Sequence, residues 1–315
     1  MIGWLRFHVR PLVGVAVLAT VLATIWLAPA AGASGTRHNR HPHHFSPIGS
    51  RPHGGPPPGH PAPQQSYLAL GDSLAFGYSQ AKFESLLPGE NPAAYDTGYV
   101  DDFGHVLRLV HPNLRIVNDG CPGETTESFI KGPCEYQLAF PLHHPYVGGP
   151  TSSQLSDALA YLHANPNTNP ITLDIGANDA LGVIEHTCEK KAECVVKEAP
   201  ALFAHIASNL GLILADLRGA DPQATIVVLG LYNPFGEKLP GGNTLTAQLN
   251  EVMSQVASTV GARFADPLPI FNPPGALEEP TICLLTNMCT SFEDIHPTDL
   301  GYAVLAGLIA KQYFF

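Results

Sequence analysis

Five short apolar runs alternate with stretches of helical spacing, and that alternation most constrains what this chain can fold into. The runs are Tyr67–Leu70, Arg115–Asn118, Ile171–Ile175, Thr225–Leu231 and Arg263–Ala265. Thr225–Leu231 is apolar almost throughout, as a strand buried on both faces must be. Between the runs, apolar residues recur every three or four positions, as in Leu202, Ile206, Leu210, Ile213, Leu214 and Leu217. Helices are expected over Tyr99–Val110, from a Thr151 or Ser152 cap to about Ala164, and over Pro200–Arg218, Asn243–Val260 and Thr298–Tyr313. Strand, helix, strand, helix predicts an α/β fold: a five-stranded parallel sheet with helices on both faces.

In such a sheet, ligands bind at the carboxyl ends of the strands. Three of those ends carry Gly71-Asp72-Ser73, Asp119-Gly120-Cys121 and Gly176-Ala177-Asn178-Asp179. A serine on a strand-to-helix turn is a candidate nucleophile, but its hydroxyl needs a base with a pKa near working pH. His296 is that candidate, in a loop fixed by Pro297 and the last helix. Acyl transfer also builds charge on the carbonyl oxygen. The backbone N–H groups of Ser73 and Gly120 and the side-chain amide of Asn178 are the expected oxyanion donors. Asp72, Asp119 and Asp179 read as short carboxylates that hold backbone N–H groups in their loops. Ser73 does not lie on a Gly-x-Ser-x-Gly elbow, because position 75 is Ala75.

Residues 1–33 have the form of a secretory signal: Arg6, His8 and Arg10, an apolar run from Leu12 to Leu27, then Ala31-Gly32-Ala33. An uncleaved membrane anchor is the competing reading, and the small residues favour cleavage. Residues 34–65 are rich in Pro, Gly and His and too poor in apolar side chains to fold, so they are expected to form a disordered linker. Residues 66–315 then form one catalytic domain, expected to be secreted, with the cell wall or membrane surface as a neighbouring partner. A monomer is expected. The net charge of −11 argues against nucleic acid as a partner. Nothing in the folded part has a phosphate loop or a metal-ligand cluster, so no cofactor and no metal are expected. Six cysteines in an exported chain suggest disulfides. The local set, Cys121–Cys134, Cys188–Cys194 and Cys283–Cys289, is favoured because each pair lies in a loop segment. A zinc site is the rival, without a Cys-x-x-Cys spacing to support it.

Gly71-Asp72-Ser73-Leu74, Gly120, Gly176-Ala177-Asn178-Asp179 and His296-Pro297, in this order, resemble the SGNH hydrolases, also called GDSL esterases and lipases. The resemblance spans essentially the whole folded region. It implies a flavodoxin-like three-layer α/β/α fold and ester hydrolysis through an acyl-enzyme. It further implies Ser73 as nucleophile, His296 as base, and Gly120 and Asn178 as oxyanion donors. The chain also looks like the secreted actinobacterial lipases, whose three disulfides are consistent with the local pairing. The family usually has an aspartate three residues before the histidine. Here Glu293 stands there, which makes Glu293 the expected acid, with Asp294 as the alternative and a backbone carbonyl as a third way to orient His296.

The substrate implied is an acyl ester, small or lipid-like. Phe76, Phe140, Leu142, Tyr232 and Phe235 are candidate acyl-pocket residues. A carbohydrate O-acetyl esterase is an alternative, weakened because both tryptophans, Trp4 and Trp26, fall in the signal. A catalytically inactive cell-wall-associated binding protein of the same fold is the alternative from another class.

Overall fold

The computed structural model describes residues 65–86, 92–134, 144–146, 148–149 and 151–315. All belong to the unit Pro58–Phe315. The expected signal, nearly all of the expected linker, and Phe140 and Leu142 lie outside the described residues.

Five parallel strands form one sheet: β1 (Ser66–Gly71), β2 (Arg115–Asn118), β3 (Thr168–Asp174), β4 (Ile226–Leu229) and β5 (Arg263–Ala265). Their spatial order is β2-β1-β3-β4-β5. The chain leaves β1 in one direction for β2, then returns past β1 to β3. Crossovers that leave in opposite directions cannot cover the strand ends between them, so a crevice opens at the β1/β3 boundary. Gly71 and Asp174 are paired across that boundary.

The helices are α1 (Ser73–Phe76), α2 (Gln80–Ser85), α3 (Tyr99–Arg108), α4 (Thr126–Lys131), α5 (Gln154–Ala164), α6 (Ala177–Gly182), α7 (Ala192–Ala220), α8 (Gly242–Thr259), α9 (Leu268–Phe271), α10 (Glu278–Leu285) and α11 (Asp299–Phe314). Side chains alternate across the sheet. Leu68, Leu70, Ile171, Leu173, Ile226 and Val228 therefore pack against α4, α5, α7 and α8. Tyr67, Ala69, Val227 and Leu229 pack against α3 and α11 on the other face. Both faces are covered, which gives the three-layer α/β/α architecture.

The caps are local and read directly from side chains. Ser153 Oγ accepts the Ser156 N–H and starts α5, one or two residues later than the expected cap. Thr298 Oγ1 accepts the Gly301 N–H at 3.2 Å and starts α11. Helix α7 begins well before Pro200, which lies inside it. A proline there removes one hydrogen bond, while Val195, Ala199 and Ile206 bury the same side of the helix across it. The segment 81–97 holds all of α2 after Gln80 and a 3₁₀ turn at Pro92–Tyr95. The disulfides are the three expected local pairs, Cys121–Cys134, Cys188–Cys194 and Cys283–Cys289.

Candidate active site

Ser73 opens α1 at the end of β1 and is partly exposed in the crevice. Asp72, just before it, caps the helix by accepting the Leu74 N–H at 3.0 Å. The turn needs Gly71, whose φ is +141° and whose Cβ would stand 2.2 Å from the Asp174 carbonyl oxygen. His296 approaches from the loop before α11, and its Nε2 lies 2.8 Å from Ser73 Oγ. That distance suits a serine hydroxyl donating to an unprotonated ring nitrogen.

The carboxylate on the imidazole belongs to Asp294, not to the expected Glu293. Asp294 Oδ1 accepts from His296 Nδ1 at 2.5 Å and from the His296 backbone N–H at 3.1 Å. Its Oδ2 accepts the Gln80 N–H at 2.9 Å. Glu293 is exposed, and its backbone turns through φ +46°. The turn leaves Glu293 in solvent and aims the next residue at the histidine. Burial works to raise the Asp294 pKa, but the hydrogen bond and charge of His296 and the two backbone donors outweigh it and hold the carboxyl below the usual range. The loop itself is tied down. Tyr232 Oη donates to the Ile295 carbonyl at 2.7 Å, and the Asn287 amide donates to Pro297 O at 2.9 Å. The Tyr78 ring lies 4.7 Å from the imidazole.

The groups expected to meet the oxyanion differ in how they are held. The Ser73 N–H has no acceptor among the described residues. Asn178, at the start of α6, sends one amide proton to the Glu124 carbonyl at 2.9 Å. The other faces Asp72 Oδ2 loosely, at 3.3 Å. Of the two glycines after β2, Gly123 lines the cavity and Gly120 does not. The Gly120 N–H donates to Asn118 Oδ1 at 3.0 Å, and a Cβ there would stand 2.6 Å from Phe76 N. Gly120 is therefore a packing residue. Gly123 lines the cavity beside Ser73 and Asn178, and its N–H has no acceptor among the described residues. The missed signal was Cys121-Pro122-Gly123-Glu124: Pro-Gly at the centre of a turn marks type II. The Gly123 φ of +83° and the Glu124 N–H to Cys121 O bond of 3.1 Å bear the turn out.

Behind these donors, Gln154 Oε1 accepts the Gly71 N–H at 2.6 Å, while its Nε2 donates to Gly71 O and Glu124 Oε2. Glu124 is fully buried, and burial pushes its carboxyl up to about 7. Asp179 grips the start of α4 through Thr126, as expected of a structural carboxylate. Asp119 is also buried and pushed up to about 7, chiefly by burial, and its Oδ2 has no hydrogen-bond partner among the described residues. Cys121, Glu124 and Cys134 lie close enough together to suggest a metal site, but both sulfurs are bonded to each other.

A cavity of about 950 Å³ opens beside Ser73 and His296. Aliphatic side chains line much of it: Leu181 from α6, Ile184 from the π-helical turn Val183–Thr187, Val195 and Leu202 from α7, and Leu245 and Leu249 from α8, with Glu185, His186 and Thr246 among them. Tyr232 and Phe235 line it, whereas Phe76 is buried beneath Tyr95 and does not.

Fold and site together define an α/β protein with a serine–histidine–carboxylate constellation at its switch point. Residues 69–304 match the GDSL-like Lipase/Acylhydrolase family, and the chain belongs to it. No curated protein sequence matches this chain. Among solved structures, the acetylxylan esterase Axe2 of Geobacillus stearothermophilus superposes with a TM-score of 0.52 at 19% identity, covering 80% of this chain and 94% of that one. The extracellular lipase of Streptomyces rimosus superposes with a TM-score of 0.51 at 20% identity, covering 79% of this chain and 99% of that one. At such identities the likeness is one of fold.

Proposed function

We propose that the protein is an exported serine esterase or lipase that hydrolyses carboxylic esters with acyl chains longer than acetyl. The observation that carries the reading is the 2.8 Å Ser73–His296 contact at the mouth of an aliphatic cavity of about 950 Å³. His296 Nε2 takes the hydroxyl proton as Ser73 Oγ attacks the carbonyl carbon. The carbonyl π electrons move onto oxygen, where the Ser73 and Gly123 N–H groups and the Asn178 amide receive the charge. Collapse expels the alcohol, which takes the proton from His296 and leaves an acyl-Ser73. Water, deprotonated by the same nitrogen, then repeats the sequence and releases the acid. Asp294 holds the imidazole with Nε2 free to accept and supports the imidazolium in between.

The aliphatic wall supports an acyl chain, which has no polar groups to satisfy. An acetyl group would leave most of the cavity empty. The three disulfides support export, since they persist in oxidising compartments. A panel of p-nitrophenyl esters from acetyl to palmitoyl, with Ser73→Ala as control, tests the reading. The expected result is kcat/KM rising with chain length beyond acetyl and lost in the control. A preference for acetylated sugars over every longer ester overturns it.

A further inference from the structure

In the turn that carries Ser73, every backbone N–H from Gly71 to Tyr78 has an acceptor except one. Gly71 donates to Gln154, Asp72 to Asp174, Leu74 to Asp72, Ala75 to Asp174, Phe76 to the Asp72 carbonyl, and Gly77 and Tyr78 to the Ser73 carbonyl. Only the Ser73 N–H has no acceptor among the described residues. Unpaired N–H groups are rare in protein interiors, so this one is left over by construction, and a single side chain does most of the constructing. Asp174 Oδ2 accepts from Asp72 at 3.1 Å and from Ala75 at 3.4 Å, which places one oxygen under both flanks of the serine. Asp174 Oδ1 takes the Tyr99 hydroxyl at 2.5 Å. The carboxyl occupies the space a Cβ would need on Gly71, which is why the two residues stand paired across β1 and β3.

We infer that Asp174 is a positioning residue, which grips the turn on both sides of Ser73 so that the Ser73 N–H is left to the substrate oxygen. The inference rests on the proposed ester hydrolysis and adds to it a residue that touches neither substrate nor nucleophile. Asp174 works as an acceptor through both oxygens. It is 1% exposed, and burial, then the charge of the nearby Asp72, push its carboxyl well above the ordinary range. Burial raises the Asp72 carboxyl as well, opposed in part by the Leu74 N–H that donates to it. What the site needs from position 174 is an acceptor of the right shape, not a charge.

The test compares Asp174→Asn with Asp174→Leu, with Tyr99→Phe as a milder variant should Leu fail to fold. An asparagine keeps an oxygen for the two N–H groups and turns its amide to the Tyr99 oxygen. Expected is kcat lower by about 10–100-fold in Asp174→Leu with KM within about twofold, and a return to within about threefold of wild-type kcat in Asp174→Asn. In Tyr99→Phe, kcat falls less than in Leu and KM holds. Binding of an alkylboronic acid, whose adduct on Ser73 places an oxygen in the same pocket, follows kcat and needs no turnover. Should wild type hydrolyse no ester, the functional reading fails, and boronate affinity alone decides the role of Asp174. Folded variants that all match wild type, or an asparagine as impaired as leucine, overturn the inference.

Discussion

Asp294 Oδ1 meets two nitrogens of the residue two positions on, the His296 ring Nδ1 at 2.5 Å and the His296 backbone N–H at 3.1 Å. One carboxylate oxygen thus sets both the tautomer of the imidazole and the path of the loop that carries it. Asp294→Asn leaves the loop bond but presents the wrong partner to Nδ1. It is expected to lower kcat by about 10²–10⁴-fold, with little change in melting temperature. Glu293→Gln, in solvent, is expected to leave the rate within about twofold. Steady-state kinetics of the two variants checks the assignment, and the reverse ranking would restore Glu293.

The two glycines after β2 separate packing from chemistry. Gly120→Ala drives a Cβ into the backbone of Ala75 and Phe76 and is expected to cost on the order of 2–3 kcal/mol of stability, read as a lower denaturation midpoint. Asn178→Ala, at the proposed oxyanion donor, is expected to fold and to lower kcat by about 10²–10³-fold. Gly123→Ala, at φ +83°, combines a modest strain with a lowered kcat, so its rate falls out of proportion to its stability.

Much of this was legible in the residues. The apolar runs gave the strands and their parallel order, because a strand buried on both faces leaves no room for polar alternation. Ser73, Asn178 and His296 were legible because each sits where a strand or helix ends. Glu293 and Asp294 were not separable, since the bond that ties Asp294 to the Gln80 N–H spans 214 positions. Gly120 follows β2 more directly than Gly123, and only the turn Cys121–Glu124 carries the chain on to the cavity. The Gln154 clasp on Gly71 and the grip of Asp174 on the Ser73 turn join residues 83 and 99–102 positions apart, and no local pattern announces them.

Glu124 makes stability depend on pH. Its carboxyl titrates near 4.3 when unfolded and at about 7 when folded. A raised folded pKa means the native state holds the proton longer. The stability this group contributes is complete below the unfolded value and is lost as pH rises to about 7. Glu124→Gln keeps the shape and removes the titration. It is expected to match wild type near pH 4 and to exceed it by on the order of 1–3 kcal/mol near pH 8, measured by denaturant unfolding at both values. Equal differences at both pH values would contradict the assignment.

The Cys188–Cys194 bridge closes a short loop, with a sequence separation of 6, between Ile184 and Val195 of the cavity wall. Replacing both cysteines by serine is expected to cost about 2 kcal/mol. It is also expected to raise KM for long-chain esters more than for acetyl esters, because the loosened segment carries Ile184 and Val195 of the cavity lining. Equal changes in KM across the ester series would sever the link between this bridge and the acyl wall.

The central claim is that Ser73, activated by His296, is a nucleophile. An alkyl fluorophosphonate reacts only with a serine whose proton is removed as it attacks. The account predicts one adduct per molecule, located on Ser73 by peptide mass spectrometry and absent from Ser73→Ala, with labelling slowed at least about 10²-fold in His296→Ala. Folded wild-type protein that takes up no label, or takes it up at another residue, would contradict it.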